Sequence, residues 1–238
     1  MSLNVNGRKG GLWEENFGMV KKVAKEANIF TDCITKSQLF YLDNILLSAS
    51  GNKLFIHNIK LPEKSEKGPD AGGQYKLAKC VTMSECKSIT SMSCINQFYS
   101  FVTLIACSDR SVRVYDVNQA KIVRKINQCH SRSTHTIVQN EGSNLYCHSD
   151  RGYDLFITSA VCDGAKLWDI RTQNDKCVQK FDSKVSNRHQ VGVSLSPCLQ
   201  YVATGAEDGH VYVYDTRQRF HEYFSREPCI KIDTSTLG

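Results

Sequence analysis

The 238-residue sequence contains no Cys-x-x-Cys pair, although it has eleven cysteines, which is an odd number. It has no apolar run near the roughly 20 residues that a membrane-spanning helix needs, and its first thirty residues contain no apolar signal-peptide core. Cys107, Cys162 and Cys177 fall inside strand-like patterns, as reduced thiols do when they act as small hydrophobic side chains. We therefore expect a chain that does not enter the membrane and resides inside the cell, in the cytoplasm or the nucleus.

The short motifs of common catalytic and cofactor sites are also missing. There is no Gly-x-Ser-x-Gly elbow, no phosphate-binding glycine loop, no paired carboxylate site and no EF-hand pattern. The net charge of +6 is spread along the chain, which indicates a solvated surface rather than a nucleic-acid-binding face. The sequence therefore predicts a protein that is not an enzyme, with no catalytic residues, no metal and no cofactor.

The most informative stretch is LFITSAVCDGAKLWDI, residues 155–170. Two runs rich in apolar, β-branched and aromatic residues flank Asp163-Gly164, and such runs suit a half-buried strand. Asp-Gly is a strong hairpin signal because both residues tolerate positive φ. The stretch predicts a hairpin that closes on the pair Trp168-Asp169.

The same pattern occurs three more times, as ILLSASGNKLFIHNI (45–59), LIACSDRSVRVYDV (104–117) and YVATGAEDGHVYVYDT (201–216). The closing pairs are His57-Asn58, Tyr115-Asp116, Trp168-Asp169 and Tyr214-Asp215. Their first residues are 58, 53 and 46 residues apart. A repeat of this period that ends in Trp-Asp or a near equivalent is typical of a four-stranded propeller blade.

Over about residues 20–235 these repeats resemble the WD-repeat family of β-propellers. The resemblance implies an all-β fold of about four WD-type blades within residues 31–238, as an incomplete, open arc of a larger propeller. The expected segments are a disordered start at 1–12, a stray outer strand at 13–30, and blades at about 31–83, 88–129, 134–183 and 190–235. An open arc leaves apolar faces near 33–42 and 191–196 unpaired, and so it is expected to self-associate.

The resemblance also implies a buried hydrogen-bond chain of four side chains in each well-formed blade. The expected members are His130, Ser159, Asp163 and Trp168 in the third blade, and His189, Thr204, Asp208 and Tyr214 in the fourth. Asp163 precedes Trp168 by five residues, where Asp208 precedes Tyr214 by six, so the third turn should be tighter. The second blade has Ile105 where a hydroxyl residue is expected, so we expect its chain to be incomplete.

Two chemical alternatives use the same residue types. Ser, His and Asp could form a hydrolytic triad, but these residues already belong to the expected structural chain. Cys129-His130 and Cys147-His148 could supply four zinc ligands, but their spacing is not that of a standard finger. Structural thiols and a structural histidine are the favoured interpretation in both cases.

Blade loops carry function in such folds, so the sequence predicts a scaffold for protein–protein interactions. One candidate contact is the aromatic set Phe220, Tyr223 and Phe224, spaced as one face of a helical turn. Packing of these rings against the blade's own edge is the favoured alternative. Three loop arginines, Arg110, Arg132 and Arg188, are further candidates. The same arginines with Lys184 define the alternative function, in which the propeller binds nucleic acid. The affinity for nucleic acid would then fall steeply as the salt concentration rises. The expected partner is a protein of unknown identity. Binding to a membrane or to nucleic acid is not expected.

Overall fold

The computed structural model describes residues 30, 32–60, 74–98, 100–142, 150–181, 188–217, 228 and 230–233. Within these residues the only regular element that is not a strand is a 3₁₀ helix at Asp150–Asp154. The sixteen strands form four antiparallel sheets of four, each built from four successive strands. The predicted all-β chain of four blades is confirmed. Apart from Phe30, the segments predicted at 1–12 and 13–30 lie outside the described residues.

The first two sheets contain the strands β1–β8. In the first sheet these are β1 Ile34–Phe40, β2 Ile45–Ser50, β3 Lys53–Lys60 and β4 Gln74–Thr82. In the second sheet they are β5 Ile89–Cys94, β6 Val102–Cys107, β7 Val112–Asp116 and β8 Lys121–Ile126. The first strand of each sheet is the inner strand, and the fourth is the outer strand.

The last two sheets contain β9–β16. In the third sheet these are β9 Thr134–Gln139, β10 Leu155–Ala160, β11 Gly164–Asp169 and β12 Gln179–Phe181. In the fourth sheet they are β13 Val193–Leu195, β14 Tyr201–Gly205, β15 His210–Asp215 and β16 Ile230–Asp233.

The turns between the second and third strands of the sheets contain residues with positive φ, as the sequence predicts. Gly51 has φ 54°, Arg110 66°, Gly164 66° and Gly209 78°. Glycine adopts this left-handed region without a Cβ clash, whereas Arg110 must bear a steric cost there. These turns fix the register of each central hairpin, and register decides which side chains face which neighbouring sheet.

Each sheet packs face to face against the next one along the chain. Leu47 and Ile56 of the first sheet share an apolar cluster with Met92 and Ile105 of the second. A second cluster joins Leu104 and Val114 of the second sheet to Phe156 and Trp168 of the third. A third joins Ile157 and Leu167 of the third sheet to Val202 and Tyr214 of the fourth. The second and third sheets are each covered on both faces. Their strands are therefore apolar on both sides rather than alternating with polar residues.

The arc is open, because the first and fourth sheets share none of these clusters within the described residues. On β1, Ile34 and Leu39 are exposed, in line with the predicted unpaired face near 33–42. The prediction for residues 191–196 is wrong, because Val193 and Leu195 are buried against the third sheet. The reason is that the inner strand of each blade supplies side chains to the interface with the preceding blade.

The apolar side chains that the fourth sheet leaves exposed lie on its other face. Ile230 and Ile232 of β16 are paired with Val213 and Val211 of β15, and they are 52% and 43% exposed. Tyr201 of β14 is exposed as well. The open end of the arc therefore lies on β14–β16 and not on the inner strand β13.

Candidate functional site

The hairpin β10–β11 brings Asp163 to one end of the third sheet. The Asp163 N–H donates to the Ala160 carbonyl at 3.3 Å, and Cys162 and Gly164 on either side have φ of 69° and 66°. This tight turn directs the Asp163 carboxylate towards His130, which lies in the loop that leads into β9. We call this end of the sheets, with the second-to-third-strand turns and the loops entering the inner strands, the hairpin end.

A chain of three hydrogen bonds links this turn to the middle of the sheet. His130 Nδ1 is 2.9 Å from Asp163 Oδ2, His130 Nε2 is 2.7 Å from Thr158 Oγ1, and Trp168 Nε1 donates to Thr158 Oγ1 at 2.7 Å. An ionised carboxylate can only accept, so His130 Nδ1 donates to Asp163; Nε2 of the neutral ring then accepts from the Thr158 hydroxyl, which itself accepts from the Trp168 N–H. The imidazole proton is thereby placed on Nδ1, towards Asp163.

The hydroxyl in this chain belongs to Thr158 and not to Ser159, as the sequence analysis expected. Successive residues of a strand point to opposite faces. Trp168 lies opposite Phe156, so Thr158, two residues along β10, shares its face. Ser159 lies on the other face, next to Ala165 across the strand pair. The other three expected members, His130, Asp163 and Trp168, are brought together.

The electrostatics of the chain favour a neutral imidazole beside an ionised carboxylate. Burial lowers the pKa of His130 from its ordinary value. Burial alone would raise the pKa of Asp163, but hydrogen bonds from His130 and Lys166 hold it well below its ordinary value. Lys166 Nζ lies 2.7 Å from Asp163 Oδ2, and Lys180 Nζ lies 3.4 Å from Oδ1. The carboxylate is therefore surrounded by cations and donors.

This order of groups, carboxylate, imidazole and hydroxyl, is that of a hydrolytic triad, but the surroundings do not suit catalysis. Thr158 and His130 are buried, with 0% and 2% of their surfaces exposed. The Thr158 hydroxyl already donates to His130 and accepts from Trp168. A nucleophile needs an open approach for its substrate. The chain instead ties a loop, a strand and a turn together.

The fourth sheet does not bring its expected members together. The His189 side chain is 78% exposed, with Nδ1 3.6 Å from Glu207 Oε1. Thr204 Oγ1 donates to the carbonyl oxygens of Gly205 and Gly192. Tyr214 is buried, and its ring centroid lies 5.4 Å from that of Phe181. The expectation of a His189–Asp208 bond is therefore wrong.

Glu207 explains this difference. Its carboxylate accepts hydrogen bonds from the backbone N–H groups of Arg188 and His189, both at 2.6 Å. It thus holds the loop that enters the fourth sheet, as Asp163 holds the loop of the third through Ser131 N and His130. The expectation of a tighter third turn is wrong, because Phe156 pairs with Trp168 as Val202 pairs with Tyr214, over the same number of residues. Asp208 lies one position earlier in its turn than Asp163 does, and it accepts from His210 N.

The sequence analysis missed a second arrangement, which recurs in three sheets. In each one, the side chain two positions before the closing aromatic residue donates to the turn aspartate, and a lysine opposite it on the outer strand approaches the same carboxylate. The three sets are Asp109 with Arg113 and Lys125, Asp163 with Lys166 and Lys180, and Asp208 with Tyr212 and Lys231. The spacing Arg-x-Tyr, Lys-x-Trp and Tyr-x-Tyr was the available signal.

The second sheet shows this arrangement in its most buried form. Arg113 is 2% exposed, and its Nη2 lies 3.1 Å from Asp109 Oδ2 while it also donates to the Ser84 carbonyl. Ser111 donates to Asp109 through both its hydroxyl and its N–H. The second blade therefore has a charged network of its own where Ile105 replaces the hydroxyl residue.

The three candidate arginines lie at the hairpin end. Arg110 is exposed in the β6–β7 turn, with Nη1 3.5 Å from the Ser131 carbonyl. Arg132 and Arg188 are exposed in the loops that lead into β9 and β13. The aromatic candidates Phe220, Tyr223 and Phe224 lie outside the described residues, and so does Lys184.

Aromatic side chains gather at the opposite end, where the first and second strands of each sheet are joined. Phe98 and Phe101 of the β5–β6 loop are 57% and 41% exposed, and Leu42 of the β1–β2 turn is 43% exposed. The Tyr41 ring lies 5.1 Å from that of Phe98 and 5.7 Å from that of Phe101. The aromatic run at 98–101 could have signalled this group from the sequence.

The zinc alternative gains no support in the part of the chain that the structure describes, where no three His, Cys, Asp or Glu side chains gather as metal ligands. Both ring nitrogens of His130 are engaged in the chain above. The Cys129 thiol donates to the Ile126 carbonyl, and burial raises its pKa to about 12. Cys147 and His148 lie outside the described residues.

Comparisons with known proteins agree with this geometry. Residues 175–215 match the family model described as "WD domain, G-beta repeat". Among solved structures, the chain is similar to the β-propeller domain of Cps50 (Swd1) from Myceliophteria thermophila, with 16% identity and a TM-score of 0.56. That alignment covers 77% of this chain and 52% of the other, so this chain spans about half the length of that structure.

The match identifies one WD repeat at residues 175–215, and the four sheets have the fold of a WD-type β-propeller. Propellers built from WD repeats generally act as non-enzymatic scaffolds for protein–protein interactions. Within the described residues, no helix is both long and apolar enough to span a membrane.

Proposed function

We propose that this chain is a non-enzymatic scaffold that binds protein partners through the loops at the ends of its blades. One observation carries the proposal. The His130–Asp163–Thr158 group, whose residue types could do chemistry, is buried and bonded so as to hold a blade together. The sheets thereby fix the positions of the loops, and the loops are what the chain presents to a partner.

Arg110, Arg132 and Arg188 are the proposed contacts at the hairpin end. They extend from the β6–β7 turn, the loop into β9 and the loop into β13, and all three are exposed. Arginine is enriched in binding hot spots because its planar group donates several hydrogen bonds and also packs on apolar surface. A rigid sheet behind each connection lowers the ordering cost of binding.

A protein partner fits this end better than nucleic acid does. The Glu207 carboxylate accepts from Arg188 N, and the carboxylates of Glu85, Asp109 and Asp208 lie at the same end. A phosphate backbone calls for a continuous basic surface, whereas mixed charges suit a protein surface with its own acidic and basic groups.

Within the described residues, the thiols of Cys86, Cys94, Cys107 and Cys129 are free and buried, and that of Cys198 is free and half-buried. Reduced thiols in such positions support the further proposal that the scaffold works inside the cell.

The experiment is affinity purification of the chain from its native cell, identification of the bound proteins by mass spectrometry, and reassembly of each complex from purified components. We expect a reassembled protein complex that survives nuclease treatment and that loses little affinity between low and moderate salt. Binding that disappears with nuclease and falls steeply with salt would favour the nucleic-acid alternative.

Charge-reversal variants locate the interface. The triple variant Arg110→Glu, Arg132→Glu and Arg188→Glu should weaken the reassembled complex, since all three exposed side chains change sign. The control is Lys36→Glu with Lys121→Glu, two exposed cations away from the hairpin-end loops. Equal loss in both variants would show a general charge effect and would remove the arginines from the proposal.

A further inference from the structure

The four side chains Tyr41, Leu42, Phe98 and Phe101 form a surface across the first and second blades, which we call the aromatic rim patch. Three of them are more than two-fifths exposed, and Tyr41 packs between Phe98 and Phe101. Single exposed apolar residues are common on proteins, but a contiguous group of this kind marks an interaction site. The patch lies on the loops opposite the hairpin end, and so opposite the three arginines.

The backbone beneath the patch adopts an unusual conformation. Tyr41, Leu42 and Asp43 have φ of 54°, 52° and 63°, so three consecutive residues with side chains lie in the left-handed region. Each pays a steric cost there, and such conformations persist only where the surroundings impose them. The turn thus holds Leu42 on the surface at the expense of local strain.

Hydrogen bonds from two loops impose this conformation. Asn44 Nδ2 donates to the carbonyl oxygens of Tyr41 and Leu42, at 3.0 and 3.2 Å. Asp43 N donates to Asn96 Oδ1 at 3.0 Å, and Asn96 Nδ2 donates to Asp43 Oδ1 at 2.7 Å. These reciprocal bonds join the β1–β2 turn to the β5–β6 loop. The patch is therefore organised in advance of any partner, which reduces the ordering cost of binding.

Carboxylates border the patch. Asp43 follows Leu42 in the same turn. Asp116 begins the turn whose Val117 N–H donates to the Phe101 carbonyl, and the Glu141 carbonyl accepts from Gln97 of the β5–β6 loop. Two lysines also reach this end: Lys79 donates to the Ala120 carbonyl, and Lys121 pairs with Asp116 across β7 and β8. An apolar surface bordered by carboxylates complements an apolar segment bordered by basic residues.

We propose that the aromatic rim patch binds a segment of a protein partner in which a large aliphatic or aromatic side chain stands beside Lys or Arg. The proposal rests on the scaffold function above and gives the partner its chemistry. The apolar side chain contacts Leu42, Phe98 and Phe101, and the basic one lies near Asp43. Aromatic residues at a fixed, solvent-facing position are the usual anchors of such interfaces.

The test selects a random twelve-residue peptide library, displayed on phage, on the immobilised full-length chain. Enriched peptides are then synthesised and titrated by fluorescence anisotropy. We expect them to combine Leu, Ile, Met, Phe or Trp with Lys or Arg. The double variant Leu42→Ser with Phe98→Ser should weaken their affinity at least about tenfold, while Val123→Ser, an exposed apolar residue on the outer strand β8, should change it less than about twofold.

Asp43→Asn tests the charge separately, because an asparagine oxygen can still accept the hydrogen bond from Asn96. It should weaken the basic peptides severalfold and flatten their salt dependence. Unchanged melting temperatures for all variants show that the fold is kept, as expected for exposed positions.

Three results would overturn the inference: no enriched peptide, enriched peptides rich in Asp and Glu, or equal affinity for the chain and its Leu42/Phe98 double variant. Peptides that lose binding only in the Arg110/Arg132/Arg188 variant would overturn it while leaving the scaffold function intact. The reverse case, patch-binding peptides but no native protein partner, would count against the scaffold function alone.

Discussion

The third and fourth blades have the same sequence pattern but use it differently. The family match at 175–215 includes the central strands of the fourth blade, yet the complete hydrogen-bond chain lies in the third. In the third, Asp163 bonds His130 directly, whereas in the fourth Glu207 holds the entering loop and His189 stays exposed. A repeat motif therefore specifies the hairpin more firmly than it specifies the polar contacts.

The physical reason lies in the position of the aspartate within the turn. The two hairpins have equal length, because Phe156 pairs with Trp168 in the third blade as Val202 pairs with Tyr214 in the fourth. Asp163 is the last residue before its strand resumes, and its carboxylate lies 2.9 Å from the imidazole of the entering loop. Asp208 lies one position earlier in its turn, and its carboxylate accepts from His210 and Tyr212 of its own strand. A shift of the aspartate by one position thus exchanges a contact between distant segments for a local one.

The largest effect is expected from Thr158→Val. This change keeps the shape of the side chain and removes the hydroxyl, which leaves His130 Nε2 and Trp168 Nε1 buried without partners. The free energy of unfolding should fall by about 3 kcal/mol, since each buried unpaired group costs about 1–3 kcal/mol. Urea denaturation of the purified chain measures it.

The matched changes are Thr204→Val in the fourth blade and Ser159→Ala beside Thr158. Thr204 donates only to backbone carbonyls, so its loss should cost about 1 kcal/mol. Ser159 lies outside the chain, and its loss should cost less still. Equal losses at Thr158 and Ser159 would show that the bonds through Thr158 add nothing.

A smaller but clear difference is expected between Asp163→Ala and Asp208→Ala. Asp163 accepts from His130, Ser131 N and Lys166, so its removal should cost about 1–3 kcal/mol. Asp208 is more exposed and has local partners, so its removal should lower the melting temperature far less. A melting temperature unaffected by Asp163→Ala would mean that the third blade does not depend on its polar chain.

The sequence was sufficient to predict the hairpins, the four blades and three members of the chain in the third. Asp-Gly turns and closing aromatic residues are local signals, and they fix strands directly. The sequence predicts Ser159, and the structure places Thr158 in the chain, because spacing along the chain does not reveal which face a residue occupies until the strand register is known. The salt bridge of Arg113 with Asp109 and the aromatic rim patch depend on contacts between strands and loops that the repeat pattern does not encode.

The pH dependence of stability should also report on His130 of the third blade. Burial lowers the pKa of His130 in the folded state, so the unfolded chain binds more protons as pH falls through the ordinary histidine range. The stabilisation is therefore fully present above about pH 6.5, the ordinary pKa, and is lost as the pH falls towards the lowered one. Below about pH 4 the lowered pKa of Asp163, which faces His130 together with Lys166, adds a second loss of the same sign.

Thermal melts between pH 8 and pH 5 measure this dependence, with the parent chain and the His130→Gln variant side by side. His130→Gln should flatten the decline. A parent chain whose melting temperature is constant over this interval, or rises on acidification, would contradict the neutral buried imidazole.

The smallest effect concerns the face of each blade that points towards the next blade along the chain. Ile157 and Leu167 of the third blade are covered by the fourth, whereas Val213, Ile230 and Ile232 on the equivalent face of the fourth are exposed or half-exposed. Exposed apolar strands of this kind favour association. We expect weak self-association of the chain, with a dissociation constant of ~0.1 mM, visible as a concentration-dependent sedimentation coefficient.

Ile230→Lys with Ile232→Lys should abolish that dependence, because each lysine adds a charge where two copies would meet. Ile122→Lys, at an exposed position on β8 of the second blade, is the control and should leave it in place. If the parent chain sediments as a monomer at every concentration, the open face does not mediate association. If both variants remain associated, the copies meet through another surface. The next face to change is then that of the first sheet, where Phe30 packs on Phe55.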